Sequence, residues 1–350
     1  LRCRSALGWS RCPARGACGE RVHPGDEQRV VAHGAGSARH CLQRRLGLTT
    51  IFITNKNYQE MTRNVGGVSL STIFLVFTGA SIATTFFATA GAVSRLGATP
   101  VFVDVCPICF NMDVNDARAK ITPKTKVIMP VHLFGQCADM DPLLALAKEK
   151  GLRVIEDAAQ SIGSKYKGRD SGTMGDFGTY SFFPSKNLGG FGDGGMLVTN
   201  DDTLAEFAKV LRNHGSKPKY YHHFVGGNFR MDTLQCALLS VKVKRYAQFT
   251  ADRQRNAAHY IAELVKLSGV VQADPSHCKC LSTQDAWLAA QNARIVLPVS
   301  YAHNEHIWNQ FTLRVLGGKR DSLRDHLVSK QIGCDIYYPV TLDPQQCFET

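Results

Sequence analysis

At 350 residues and 44% hydrophobic content, the chain can bury a sizeable core, enough for one large domain and a smaller one. Its formal charge of +12 gathers near the N-terminus, where Arg2, Arg4, Arg11, Arg15, Arg21, Arg29, Arg39, Arg44 and Arg45 stand with few acids and no lysine; from Ala83 onward the charge mix is ordinary. The basic balance therefore does not argue for nucleic-acid binding by the body of the protein, and no interleaving of aromatic and basic residues supports it.

Residues 1 to about 80 do not read like the rest. Arg, Cys, Gly, Ala and His dominate the first forty-five, without helical or alternating periodicity. Three origins compete: an organellar transit peptide, a disordered basic arm, or an out-of-frame stretch joined to a genuine body by an imperfect gene model. The abruptness of the break favours the last. Between Arg63 and Arg95 no residue is charged, so Val68 to Ala83 could pass a hydropathy window. Ser, Thr and Gly dilute that stretch, and the expectation is no membrane span.

From Thr85 the chain alternates between helical and strand patterns. Ala88 to Leu96 reads as a helix stopped by Gly97, and Pro100–Asp104 as a short buried strand. Asp113 can cap a helix running to Lys120; Thr125–Val131 follows as a strand. Met140–Lys150 is a helix ended by Gly151, then Arg153–Asp157, Gly178–Phe183 and Gly195–Thr199 read as strands. Asp201–Asn213 is a helix, and Met231 to about Lys266 one long helix leading to a smaller C-terminal part. There Phe311–Val315 is a strand, Asp321–Lys330 a helix and Cys334–Tyr338 a second strand. The expected layout is an atypical segment over 1–80, a large domain over 81–250 and a small α+β domain over 251–350 that stops in mid-pattern.

Such alternation predicts a mainly parallel sheet with helices on both faces, which binds ligands outside the carboxyl ends of its strands. Asp157, Ser181 and Lys186 all fall at or just past predicted strand ends. A carboxylate ending one apolar run and a lysine just after another is what a pyridoxal phosphate (PLP) enzyme needs. The lysine forms a Schiff base with the cofactor, and the carboxylate keeps the ring nitrogen protonated. Taken singly, each residue has an ordinary reading: a solvated lysine, a helix-capping aspartate, a turn asparagine.

The stretch from Thr85 to about Phe348 resembles the DegT/StrS-type PLP-dependent nucleotide-sugar aminotransferases, of aspartate-aminotransferase (type I) fold. The resemblance rests on Thr85-Phe-Phe-Ala-Thr-Ala90, Gly97-Ala-Thr-Pro-Val-Phe-Val-Asp104, Pro130-Val-His-Leu-Phe-Gly-Gln136 and Ala138-Asp-Met-Asp141. Glu156-Asp-Ala-Ala-Gln160, Ser181-Phe-Phe-Pro-Ser-Lys186, Gly192-Asp-Gly-Gly195, Gly226-Gly-Asn-Phe-Arg230 and Tyr337-Tyr-Pro339 continue the series in order. It implies Lys186 as the Schiff-base lysine and proton shuttle, and Asp157 as partner of the pyridinium nitrogen. It implies Gln160 on the phenolic oxygen, Ser181 on the phosphate, Phe86 stacked on the ring, and Asn228 reaching the phosphate of a neighbouring subunit in a two-fold dimer. The implied reaction is transamination of a nucleotide-linked keto sugar, with glutamate as amino donor, in a cytoplasmic homodimer. The alternative is a degenerate, non-catalytic regulator or dimer partner. Related dehydratases carry histidine in place of the lysine, and Lys186 argues against that branch.

Three features depart from the family. The Ser-Gly-Thr-type turn that grips the cofactor phosphate is not found, Thr78-Gly-Ala-Ser81 being a poor substitute. The usual N-terminal segment is not visible, and the C-terminal part reads as short. Twelve cysteines are scattered, and Cys106-Pro-Ile-Cys109 has no second CxxC pair or histidine cluster to complete a zinc site. No metal is expected, and the cysteines read as free thiols of a cytosolic protein.

Overall fold

The computed structural model describes residues 51–53, 78–82, 85–275 and 287–348, the first two segments as backbone only. A seven-stranded sheet is built from β1 (Ile51–Ile53), β2 (Thr78–Ile82), β3 (Pro100–Val103), β4 (Thr125–Met129), β5 (Arg153–Asp157), β8 (Phe177–Ser181) and β9 (Gly195–Val198). Its order is β1-β9-β8-β5-β4-β2-β3. Every neighbouring pair is parallel except β8 with β9. The hairpin strands β6 (Lys165–Tyr166) and β7 (Arg169–Asp170) pair with each other and, through β6, with β12 (Asn304–Glu305). A third sheet joins β10 (Val270–Gln272), β11 (Ile295–Leu297) and β13 (Arg314–Val315).

Helices α1 (Ala88–Arg95), α2 (Val114–Lys120), α3 (Met140–Lys150) and α4 (Asp202–Leu211) lie where the periodicity put them. Asp113 accepts from the amides of Asn115 and Asp116, and Gly151 ends α3 at φ 64°, a left-handed conformation that costs glycine nothing. The long helix expected over Met231–Lys266 is broken into α5 (Thr233–Lys242) and α6 (Tyr246–Leu264) by a 3-10 turn at Val243–Arg245. Helix α7 (Arg320–Ser329) follows.

Side chains alternate across a strand, and here the alternation divides the core in two. On β4, Ile128 faces Leu143, Leu146 and Ala147 of α3 and Ala117 of α2, together with Val154 of β5. Val127, Met129 and Ile155 face the other way, against Val93 of α1 and Ala205 and Ala208 of α4. Helices therefore cover both faces, as expected.

Two expectations at the C-terminal end are corrected. Cys334–Tyr338 forms no strand, and of Phe311–Val315 only Arg314 and Val315 pair. Arg314 and Val315 pair as β13 with β11, which pairs with β10 on its other side. Of Val68 to Ala83, Thr78–Ile82 is strand and the rest lies outside the described residues, as does almost all of the atypical segment over 1–80. Among the described residues no helix is long and apolar enough to cross a membrane.

The cysteine reading also needs one correction. Cys106 is disulfide-bonded, whereas Cys109, Cys137, Cys236, Cys334 and Cys347 are free thiols. Among the described residues no group of His, Cys, Asp and Glu is arranged to hold a metal ion.

One fully buried pair fixes the end of β5. The Glu156 carboxylate accepts from the amides of Gly172 (2.7 Å), Met174 (2.6 Å) and Gly175 (2.6 Å). The Ala138 amide donates to His132 Nδ1 (3.1 Å), so the ring proton sits on Nε2, which donates to Glu156 Oε2 at 2.8 Å. Four donors thus converge on one carboxylate, binding the loop over 172–175 and the turn over 132–138 to the strand that carries Asp157. Glu156→Ala strands all four, and its expected cost is on the order of 3–5 kcal/mol, read as a lowered midpoint in denaturant. A loss below about 1 kcal/mol would show that these donors find other partners.

Candidate active site at the carboxyl ends of β5 and β8

Because Glu156 turns toward the α3 face, its neighbour Asp157 turns toward α1. There Thr89, one residue into α1, donates its hydroxyl to Asp157 Oδ2 at 2.7 Å. The Ala159 amide donates to Oδ1 at 3.1 Å. The backbone is held as well, since the Asp157 amide donates to the Pro130 carbonyl (2.9 Å) and the Asp157 carbonyl accepts from the His132 amide (3.0 Å). Strand, helix and turn together leave the carboxylate one orientation.

Lys186 lies in the loop after β8. The loop is closed by Lys186 N–H on the Phe183 carbonyl (2.9 Å) and Gly190 N–H on the Phe182 carbonyl (2.8 Å). Burial pushes the Lys186 amine below the ordinary lysine range, and the charge of Asp157 opposes that shift. Asp157 ends β5 and Lys186 follows β8, its parallel neighbour, so the carboxylate charge acts on the amine. A desolvated amine facing a firmly held carboxylate fits the donor set PLP requires.

Gln160 is buried. Its Oε1 accepts from the Phe134 amide at 2.7 Å, which turns Nε2 toward the Tyr338 hydroxyl at 3.3 Å. Burial, with a smaller push from the charge of Asp157, holds the Tyr338 phenol up at about 12. Ser181 ends β8 with its Oγ accepting from the Phe183 amide at 3.3 Å. Phe86 stands just before α1 and is 62% exposed. Gln160 is thus bonded to Tyr338 and Thr89 to Asp157, and the Asp157 charge acts on both Lys186 and Tyr338. Asn228 does not join it: its Oδ1 accepts from Arg230 Nε at 2.8 Å, and its backbone bridges to Asn213 after α4. His214 follows Asn213 at φ 60°, a helix-end conformation. Thr78–Ser81, the poor substitute for a phosphate-binding turn, is strand β2.

Sequence reasoning missed Thr89 and assigned no role to Tyr338. Neither carries a local signal, since they meet their partners across 68 and 178 residues of chain.

Residues 81–350 match the model of the DegT/DnrJ/EryC1/StrS aminotransferase family. Over 264 residues the chain is 46% identical to a pleiotropic regulatory protein of Geobacillus stearothermophilus and 41% identical to a UDP-N-acetyl-3-dehydro-alpha-D-glucosamine 3-aminotransferase of Acidithiobacillus ferrooxidans. Each match spans 75% of this chain and 64% of the relative. Among solved structures, DesV of S. venezuelae, in complex with a ketimine intermediate, aligns with TM-score 0.69 and 35% identity over 80% of this chain and 69% of that one. A DegT DnrJ EryC1 StrS aminotransferase from Brucella abortus aligns with TM-score 0.69 and 30% identity, over 81% and 73%.

Proposed function

The chain belongs to the DegT/DnrJ/EryC1/StrS aminotransferase family, and from that premise we propose that it transfers an amino group to the keto carbon of a nucleotide-linked sugar. Its cofactor in this reading is PLP and its amino donor glutamate. The observation that carries the proposal is the desolvated Lys186 amine facing the Asp157 carboxylate that Thr89 and Ala159 anchor. The 41% identical relative acts, by its name, on a UDP-linked 3-dehydro sugar, which supports the substrate class.

When bound, PLP supplies an aldehyde carbon and an electron sink. The protein's own residues do the rest. Lys186 Nζ loses its proton more readily than a solvated lysine, and only the neutral amine can attack an aldehyde or take up a proton from a substrate carbon. Asp157 holds a negative charge where the ring nitrogen would sit, kept from turning by its two donors. Gln160 Nε2, aimed by the Phe134 amide, is the donor for the phenolic oxygen. Ser181 provides a hydroxyl for the phosphate, and Phe86 an aromatic face for stacking.

We assign Asn228 to the site of a second copy. The loop around it exposes Tyr220, Tyr221 and Val225, and α5 nearby in sequence exposes Leu234 and Val241, an amount of apolar surface that favours an interface. A cytoplasmic location belongs to the same reading and is supported by the free thiols of Cys109, Cys137, Cys236, Cys334 and Cys347, with the disulfide-bonded Cys106 standing against it.

A second reading is favoured by one observation, the name of the 46% identical relative, a pleiotropic regulatory protein. In that case the chain would bind the cofactor, or merely keep the fold, and regulate rather than turn over. Absorbance separates the readings. The purified chain with PLP is expected to show a band at roughly 400–430 nm that borohydride fixes and that glutamate bleaches with release of 2-oxoglutarate. A band that glutamate leaves untouched supports the regulator; no band in folded protein overturns the enzyme reading.

A further inference from the structure

Helix α5 runs alongside the loop that carries Lys186. Leu188 of that loop shares one buried cluster with Leu239 of α5 and with Met231, and Cys236 of α5 packs against the same cluster. Gln235, Leu239 and Lys242 stand at spacings of four and three, so they share one face of the helix. That face brings more than apolar surface to the loop. The Phe191 amide donates to Gln235 Oε1 at 2.8 Å, and Lys242 Nζ donates to the Gly189 carbonyl.

The loop cannot supply these two partners itself. Its own backbone closes it through Phe182 N–H on the Gly194 carbonyl (2.7 Å), besides the bonds from the Lys186 and Gly190 amides. None of the three reaches the Gly189 carbonyl or the Phe191 amide, and Gly189 is buried away from water. The loop is also shaped to the helix. A Cβ on Gly190 would stand 2.8 Å from Gln235 Oε1, and one on Gly192 3.2 Å from its Nε2, so a side chain at either place would crowd the amide. Lys242 ends α5, where the helix dipole favours a cation, but the dipole does not explain why Nζ turns to a loop carbonyl. Among the described residues no carboxylate pairs with Lys242. A charge-assisted bond to a carbonyl three residues after Lys186 fixes the loop where its position matters.

We propose that Gln235 and Lys242 are positioning residues, which clamp the loop over 188–192 to α5 and so hold Lys186 where its amine can meet the cofactor aldehyde. The inference deepens the proposed function and rests on the role given there to Lys186. Without the clamp, the three backbone bonds keep the loop closed but let it swing as a unit on its two strand ends. A shift of about 1 Å in a reacting group costs about 100-fold in rate.

The test begins on the cofactor-free protein, with Lys242→Met and Gln235→Leu removing the donor and the acceptor, and Lys242→Arg and Gln235→Glu keeping them. Acetic anhydride labelling of Lys186 is measured against the exposed Lys148 of the same sample. It is expected to rise about tenfold in the Met and Leu variants at an unchanged thermal midpoint, and to return to the wild-type level in the Arg and Glu variants. With PLP, glutamate and saturating keto sugar, the Met and Leu variants should turn over about 10–100-fold more slowly with KM unchanged. Gln235 bonds the amide of Phe191, which is 73% exposed, so Gln235→Leu keeps the test valid if Lys242→Met does not fold. Lys186 labelling within about twofold of wild type overturns the clamp. A lowered midpoint with labelling raised at other lysines too also overturns it, making both residues ordinary parts of the core. Raised Lys186 labelling with an unchanged rate overturns the positioning role. If the wild type takes up no PLP, the proposed function fails, while the labelling, read without cofactor, still decides the clamp.

Discussion

Lys186→Ala is expected to abolish both borohydride-stable attachment of PLP and the glutamate half-reaction. The loop that carries the side chain is closed by backbone bonds from the Lys186 and Gly190 amides, neither of which needs the amine, so the fold should survive. What disappears is the group that can bond the cofactor aldehyde and move a proton at the substrate carbon. Proton transfer by a positioned side chain alone is worth about 10²–10⁴-fold, and loss of attachment adds to that. Mass spectrometry after borohydride should find the label on the peptide carrying Lys186 in the wild type and nowhere in the variant. Label on another lysine, or a rate within about tenfold of wild type, would remove Lys186 from its assigned role.

Asp157→Asn is expected to have the second-largest effect, and its sign can be checked without turnover. Burial lowers the Lys186 pKa and the Asp157 charge partly restores it. Taking the charge away leaves burial unopposed, so the Lys186 pKa falls further and the amine becomes neutral at lower pH. Competitive acetylation of the cofactor-free protein should show the Lys186 labelling midpoint moving to lower pH in the variant. A midpoint that stays or rises would mean that the two groups are not coupled. Turnover moves the other way despite the more reactive amine, because the ring nitrogen loses its counter-charge. An opposite charge in contact at an effective dielectric of about 20 is worth about 4 kcal/mol, or about 10³-fold in rate. The asparagine also places an NH₂ where Thr89 or Ala159 donates, so part of the loss comes from misorientation.

The site was legible in the sequence where chemistry and strand ends coincide. Asp157 and Lys186 follow apolar runs in a chain that alternates strand and helix, and such sheets expose ligands at the carboxyl ends of their strands. Thr89 was not legible because a threonine in a helix's first turn has many uses, and only the packing of α1 on the sheet selects Asp157 as its partner. Tyr338 stood inside a quoted motif, but its local alternation reads as a strand. Its actual place is set by Gln160, 178 residues earlier.

Sequence alone determined α1 to α4 and β3, β4, β5, β8 and β9 and their layering, because periodicity, caps such as Asp113 and stops such as Gly151 are local and mutually consistent; the hairpin of β6 and β7 it did not show. It also singled out the two residues proposed to carry the chemistry, since an amine and a carboxylate at strand ends need no distant neighbour to be noticed. Tertiary structure decided how that chemistry is tuned. The burial that lowers the Lys186 pKa, the Thr89 hydroxyl on Asp157 and the four donors on Glu156 all arise between segments far apart in the chain or folded back on one another. Desolvation and charge proximity are properties of the three-dimensional surroundings of a group, and one-dimensional spacing does not contain them.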